Sequence, residues 1–187
     1  MSIITVENRS VSKKAKQLRR ANIIPCVIYG SSLPESLMVQ MDQSSVKQLL
    51  RSKREGSKLE IEHDGKIIPA QIKEIACNFM NNEIQHICFQ ALEDDKRVNS
   101  KAQIVLENTD KIVGILEQTL FEVPYSAFPS DMVDTVVIDL DGVVAGKIFT
   151  LEDIEEFKNK DIDVQVSLDT MILRINDKKR NLAQVAE

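Results

Sequence analysis

The sequence predicts a mainly β protein with a few helices: an N-terminal small β-barrel with two or three helices, followed by a mostly β C-terminal domain. Three observations predict it. Hydrophobic residues fill 43% of the 187 positions, aromatics only 4% and tryptophan none, so Ile, Leu and Val must build the core, and these suit strands. Short alternating apolar and polar runs recur, parted by turn signals such as Asp64-Gly65. Charge also divides along the chain. Residues 1–92 hold 13 Lys and Arg against 9 Asp and Glu, a net of +4; residues 93–187 hold 11 against 20, a net of −9. A change of sign on that scale suggests two units with different partners. The polar stretch EDDKRVNSK, Glu93 to Lys101, lies at the seam. The expected organisation is a first domain over 1–92, a linker over 93–100, an acidic β-rich domain over 101–176, and a frayed or free tail over 177–187.

The first domain opens with a short strand, IITVE. A basic segment follows, with Ser10 or Ser12 available as a helix N-cap. Pro25 bars helix from running on, and CVIYG reads as a strand stopped by glycine. SLMVQM alternates like a strand. DQSSVKQLLRSK places Val46, Leu49 and Leu50 at helical spacing behind Asp42 as N-cap. KLEIEHDGKIIPAQIKEI holds two strands around Asp64-Gly65, a two-residue hairpin signal. EIQHICFQAL is another strand. In the second domain KAQIVLEN, TLFEVPY, DTVVIDL, VQVS and TMILRIN are strand candidates, and LEDIEEF is a short helix or helical turn.

Several function classes are disfavoured at once. No apolar run approaches the roughly 20 residues that span a bilayer. The start, MSIITVENRS, lacks the charged-then-apolar pattern of a signal peptide, so a cytoplasmic protein is expected. Cys26, Cys77 and Cys88 are an odd number, widely spaced, and only two histidines accompany them. A structural zinc site wants four clustered N or S ligands, so three buried thiols, no metal and no cofactor are expected.

The stretch KKAKQLRR, Lys13 to Arg20, carries five positive charges, although the whole chain has a net charge of −5. On a helix over 11–22, Lys13, Lys16 and Arg20 fall within about 60° of one another, with Lys14 and Arg19 flanking them. Val11, Ala15 and Leu18 fall on the opposite side. The helix is thus expected to dock by a modest apolar face and hold a cationic ridge outward. Like charges at such spacing repel, which weakens an isolated helix. No acidic residue lies between Arg9 and Arg20 to relieve them. Uncompensated charge on one face is the footprint of a polyanion site, and nucleic acid is favoured over a merely solvated face. A membrane-surface helix would need a richer apolar face.

The order of features is a basic helix, then P-x-V-I-Y-G (Pro25 to Gly30), a polar strand and helix, then I-x-H-x-x-F (Ile84 to Phe89). It resembles the large-subunit ribosomal protein of the twenty-five type, in its long two-domain form, the general stress protein CTC family. FEVPYSAFPSDMVDTVVIDLDGVVAGKIFTLEDI resembles that family's C-terminal domain, and the likeness runs from about Val6 to Ile175. The resemblance implies a β-barrel that binds 5S rRNA within the large ribosomal subunit, and a C-terminal domain that contacts neighbouring ribosomal proteins. It implies RNA contacts from Lys16 and Arg19 on the helix, from Tyr29 at the Y-G strand end, and from His86. With the basic segment itself, the candidate RNA-binding set is Arg9, Lys13, Lys14, Lys16, Arg19, Arg20, Tyr29 and His86. Lysine and arginine bind phosphate, and a strand-borne histidine can reach a base edge or ribose hydroxyl in the wide A-form minor groove.

The sequence also departs from the family's pattern. Val11-Ser12-Lys13 replace a G-K-G segment, and Lys16-Gln17 a double arginine. Ala76-Cys77-Asn78-Phe79 replace Q-x-H-P, and Cys88 an aspartate. A diverged stress-related paralogue with weak or no 5S rRNA binding, acting through protein contacts, is therefore the second reading. The third is a magnesium-dependent phosphatase. VVIDLDGVVAG resembles the first motif of the haloacid-dehalogenase enzymes, with Asp139 as nucleophile and Asp141 as acid/base. Its context argues against it: the later motifs are missing, and Asp141-Gly142 reads as a turn. No catalytic residue is expected. His86 and Cys88 share a strand face but lack an orienting third group, and His63, beside the hairpin turn, is expected at the surface.

Overall fold

The computed structural model describes residues 3–158 and 161–177. The elements run β1 (Ile3–Thr5), β2 (Glu7–Asn8), α1 (Ala15–Arg20), β3 (Ile23–Tyr29), β4 (Leu37–Asp42), α2 (Gln43–Ser52), β5 (Lys58–His63), β6 (Lys66–Cys77), β7 (Ile84–Ala91) and β8 (Val98–Glu107). After them come β9 (Ile115–Gln118), β10 (Glu122–Ala127), β11 (Thr135–Asp139), β12 (Ile148–Thr150), β13 (Asp163–Val164) and β14 (Met171–Asn176). The chain forms two compact units, 1–100 with 128–130, and 101–127 with 131–187. The division falls inside β8, so Val98–Ser100 are strand where a linker is expected. The residues expected to be a free tail lie, from 178 on, outside the described ones.

The first unit is one sheet of seven strands in the order β1-β5-β6-β7-β3-β4-β2. Its two edges, β1 and β2, are consecutive in the chain and separated only by Val6. Residues 3–5 pair in parallel with β5, and Glu7 and Asn8 pair antiparallel with β4. One short run therefore bridges both edges, and the sheet curls into a nearly closed barrel. Closure removes most of the unpaired backbone that sheet edges expose. At the joint Val6 donates its N–H to the Glu62 carbonyl (3.0 Å) and turns its side chain into the core.

Closure also explains His63, which is buried rather than at the surface. Joining β2 to the barrel brings Asn8 to the end of β5. There His63 Nε2 donates to Asn8 Oδ1 (2.8 Å), and Asn8 Nδ2 donates to the Asp64 carboxylate (3.1 Å). The adjoining turn has φ of 49° at Asp64 and 73° at Gly65. Both are left-handed, as the primed two-residue hairpin requires.

Helix α2 starts where the sequence places it. The Asp42 carboxylate accepts from the Ser45 backbone N–H (2.8 Å), the Ser45 hydroxyl (2.7 Å) and the Ser44 hydroxyl, and these bonds hold its pKa down to about 2. The helix turns Val46 and Leu49 into the barrel core. Helix α1 is shorter than expected, Ala15–Arg20 rather than 11–22. Ser10 and Ser12 hydrogen-bond to each other (3.1 Å), and neither caps it. Lys14 is the extended N-cap residue, and its N–H is taken by the Gln17 side chain (3.0 Å). Val11 is fully exposed and docks nothing; Leu18 is 0% exposed and anchors the helix. Of the three thiols only Cys26 is buried, with Cys88 half-buried and Cys77 exposed.

The second unit has a four-stranded sheet, β11-β8-β10-β13, and a three-stranded one, β12-β14-β9. Fully buried Tyr125 lies in its core. The phenol donates to the Val133 carbonyl (3.0 Å) and accepts from the Val133 N–H (2.9 Å). LEDIEEF forms two short 3₁₀ turns, Leu151–Asp153 and Glu156–Lys158. Of the expected strand VQVS only Val164 lies within a strand, β13, and the Gln165 N–H donates to the Pro124 carbonyl (3.0 Å). Among the described residues no helix is long and apolar enough to cross a membrane.

Candidate nucleic-acid interface

The outer face of β3, β7 and β6 forms the floor of the site. Along β7, Ile87 and Phe89 point into the core, so His86, Cys88 and Gln90 point outward. Register sets their neighbours. Cys88 lies between Val27 of β3 and Glu74 of β6, and Gln90 between Tyr29 and Gln71, while Ala76 of β6 pairs with His86. A β-bulge at Lys73 makes Glu74 the partner of Cys88. Nothing in the sequence marks that bulge, and the sequence reading does not anticipate the Glu74 carboxylate on this face.

Helix α1 is held beside this face. Leu18 is buried beneath it, and Arg19 reaches over to donate from Nη1 to the Gln85 carbonyl (3.4 Å), one residue before His86. Burial first, and then the positive charge of Arg9, lower the pKa of His86. Arg19 adds to this and Glu74 opposes it. The Cys88 sulfur lies 3.4 Å from His86 Nδ1. Burial and then Glu74 raise the Cys88 pKa, so it stays a thiol; burial, Cys88 and Glu74 together raise that of Tyr29.

Four of the eight sequence candidates, Arg9, Arg19, Tyr29 and His86, thus belong to one electrostatic neighbourhood. The other four, Lys13, Lys14, Lys16 and Arg20, are exposed on α1 or on the turn before it. None of these four makes an ion pair among the described residues. Lys13 and Lys14 precede the first helical turn, so the ridge is part loop and part helix rather than one helical stripe. Gln17 has a local task, accepting the Lys14 N–H at the start of the helix.

The arrangement can bind a polyanion in two ways. Mobile cations can neutralise phosphates, and a neutral imidazole and a phenol, on a stiff sheet, can donate to or accept from sugar and base atoms. Elsewhere, Asp139 accepts from Asn108 Nδ2 (2.6 Å) and from the Asp141 N–H (2.9 Å), and Asp141 pairs with Lys111 (2.9 Å). Gly142, with φ of 72°, completes a turn. Among the described residues no cluster of three or more His, Cys, Asp or Glu could hold a metal ion.

Comparison with known proteins gives two family matches. Residues 4–89 match the ribosomal L25p family, and residues 97–179 match the ribosomal protein TL5 C-terminal domain. Among curated relatives, the large ribosomal subunit protein bL25 of Akkermansia muciniphila is 27% identical over 148 residues, 77% of this chain and 73% of the relative. That of Thermoanaerobacter sp. is 24% identical over 158 residues, 83% and 79%. That of Exiguobacterium sibiricum is 27% identical over 173 residues, 88% and 76%. The two matches adjoin in order and together take in most of the sequence, and the chain belongs to the ribosomal L25p family, in its long two-domain form.

Proposed function

We propose that this chain is a structural, non-enzymatic constituent of the large ribosomal subunit and binds 5S rRNA through the outer face of its first unit. The observation that carries the reading is the Arg19–Gln85 bond. It ties a cationic segment free of acidic residues to a sheet face bearing His86 and Tyr29. Lys13, Lys14, Lys16 and Arg20 would then meet phosphates, while His86 and Tyr29 enter a wide, shallow groove of A-form RNA. Family membership supports the ribosomal assignment, and a cytoplasmic location follows from it. The acidic second unit, with 9 Lys and Arg against 17 Asp and Glu over residues 101–187, a net of −8, suits contacts to neighbouring proteins rather than to RNA.

The second reading, a stress-related paralogue working through protein contacts, is favoured by Glu74. Its carboxylate stands in the middle of the face and would repel phosphate. Fractionating cell lysate on a sucrose gradient separates the two. The ribosomal reading requires the chain to co-sediment with the large subunit; a chain found wholly in the light fractions supports the paralogue.

A further inference from the structure

We propose that Phe79 and Met80, at the tip of the β6–β7 hairpin, stack on an unpaired base of the RNA held by the adjoining cationic face. The inference rests on the reading above. The two side chains are 104% and 96% exposed. Single exposed aliphatics are ordinary on a protein surface, but an aromatic ring and a methionine side by side with no cover are the informative kind of exposure.

The loop that carries them is built to hold them out. Asn78 N–H donates to the Glu83 carbonyl (2.8 Å), and Asn82 N–H donates to the Asn78 carbonyl (2.8 Å). The Asn78 side chain accepts from the Met80 N–H (3.0 Å), and the Asn81 side chain accepts from the Glu83 N–H (3.2 Å). Asn82 takes the left-handed turn, with φ of 55°. These bonds tie the loop to itself and hold Phe79 and Met80 at its exposed tip.

Position and chemistry select the occupant. β7 leaves this tip and reaches Gln85, which Arg19 grips, and then His86. At about 3.4 Å per residue the tip stands roughly 10 Å beyond the His86 rung. The segment NFMNNE has no positive charge and one negative, so it adds nothing to phosphate binding. A flat ring and a polarisable thioether suit the face of a base, and unstacked bases are what proteins hold on aromatic side chains in RNA. Two apolar side chains are too few for a membrane anchor, which needs a broad apolar face.

The test uses the full chain and two RNA hairpins, one fully paired and one carrying a single unpaired 2-aminopurine, titrated at fixed salt. Wild type should prefer the unpaired base and quench its fluorescence. Phe79→Ala should weaken binding to that RNA by about 5- to 150-fold, the span of one base–aromatic stack, and abolish the quenching. Affinity for the paired hairpin should not move. Equal affinity of the Phe79→Ala/Met80→Ala variant and wild type for both RNAs would overturn the inference alone. So would a tip-dependent affinity for anionic vesicles without quenching of the base. Wild type binding neither RNA would overturn the functional reading, and the inference with it.

Discussion

Leu18→Ala should loosen helix α1 without touching a charge. The helix has six residues, far below the roughly 12–15 at which an isolated helix becomes even marginal. Its like charges work against it. Its hold on the barrel is Leu18, with 0% exposure, assisted by the Gln17 cap bond and by Arg19 on Gln85. Full burial of a leucine is worth about 1.5–3 kcal/mol, and truncating one in a core costs about 2–5 kcal/mol. A local opening free energy lowered by about 2–3 kcal/mol accelerates amide exchange about 30- to 150-fold. The amides to follow are those of Leu18, Ala21 and Asn22, which bond to the carbonyls of Lys14, Leu18 and Arg19. Amides within β3 and β7 should keep wild-type protection. RNA affinity should also fall, because a frayed helix must be ordered on binding. Unchanged exchange at the three α1 amides would refute the reasoning, and some other contact would then have to hold the cationic ridge.

Three more expectations follow from the same geometry. Asp42→Ala should cost about 1 kcal/mol in chemical denaturation, the usual loss for a helix cap. The Asp42 pKa is depressed from 3.8 to about 2, so its contribution is complete above the higher value and disappears as pH falls to the lower. The variant's deficit should therefore shrink between about pH 4 and pH 2, and a deficit constant with pH would contradict this. His86 should titrate below 6.5 by NMR, and its contribution to stability should fade as pH drops below that value; Arg9→Gln should raise the midpoint, and no change would remove Arg9 from the site. A fragment of residues 1–100 should fold alone by circular dichroism, and one of residues 1–92 should melt lower. The shorter fragment loses the bond from Ser100 Oγ to the Gly56 carbonyl (2.9 Å) and that from the buried Gln71 to the Asn99 carbonyl (3.2 Å). Equal melting temperatures would show that those bonds contribute nothing.

What the sequence revealed was local. The Asp64-Gly65 hairpin, the Asp42 cap and the alternation of SLMVQM and EIQHICFQAL are set by residues within a few positions of one another, and the structure has all four. The barrel itself was expected, but the strands that close it were hidden, because β1 and β2 have three and two residues and pair with strands distant in sequence. β9 and β12, of four and three residues, are likewise too short to display a period. In the candidate site, Lys13 to Arg20 stood out because charge needs no register to be seen. Glu74 did not, because a bulge places it opposite Cys88, and His63 was misjudged because its partner Asn8 is 55 positions away. The helix start was misjudged for a different reason. Two serines offered the usual caps, but the side chain that closes the first turn belongs to Gln17.

The central claim is that the first unit binds 5S rRNA by its cationic face, and the salt dependence of that binding tests it most directly. Lys13, Lys16 and Arg20 are replaced together by Gln, a good helix former that removes charge and leaves Leu18 alone. Titration of a 5S rRNA fragment at several salt concentrations then compares the variant with wild type. Each phosphate contact contributes roughly 0.7–0.9 to the slope of log K against log salt. If the three side chains meet phosphates, the variant should bind more weakly, and its slope should flatten by about 2–3 units. A variant that keeps both the affinity and the slope of wild type would contradict the account, and would leave the cationic ridge a solvated surface on a barrel that resembles its relatives in fold alone.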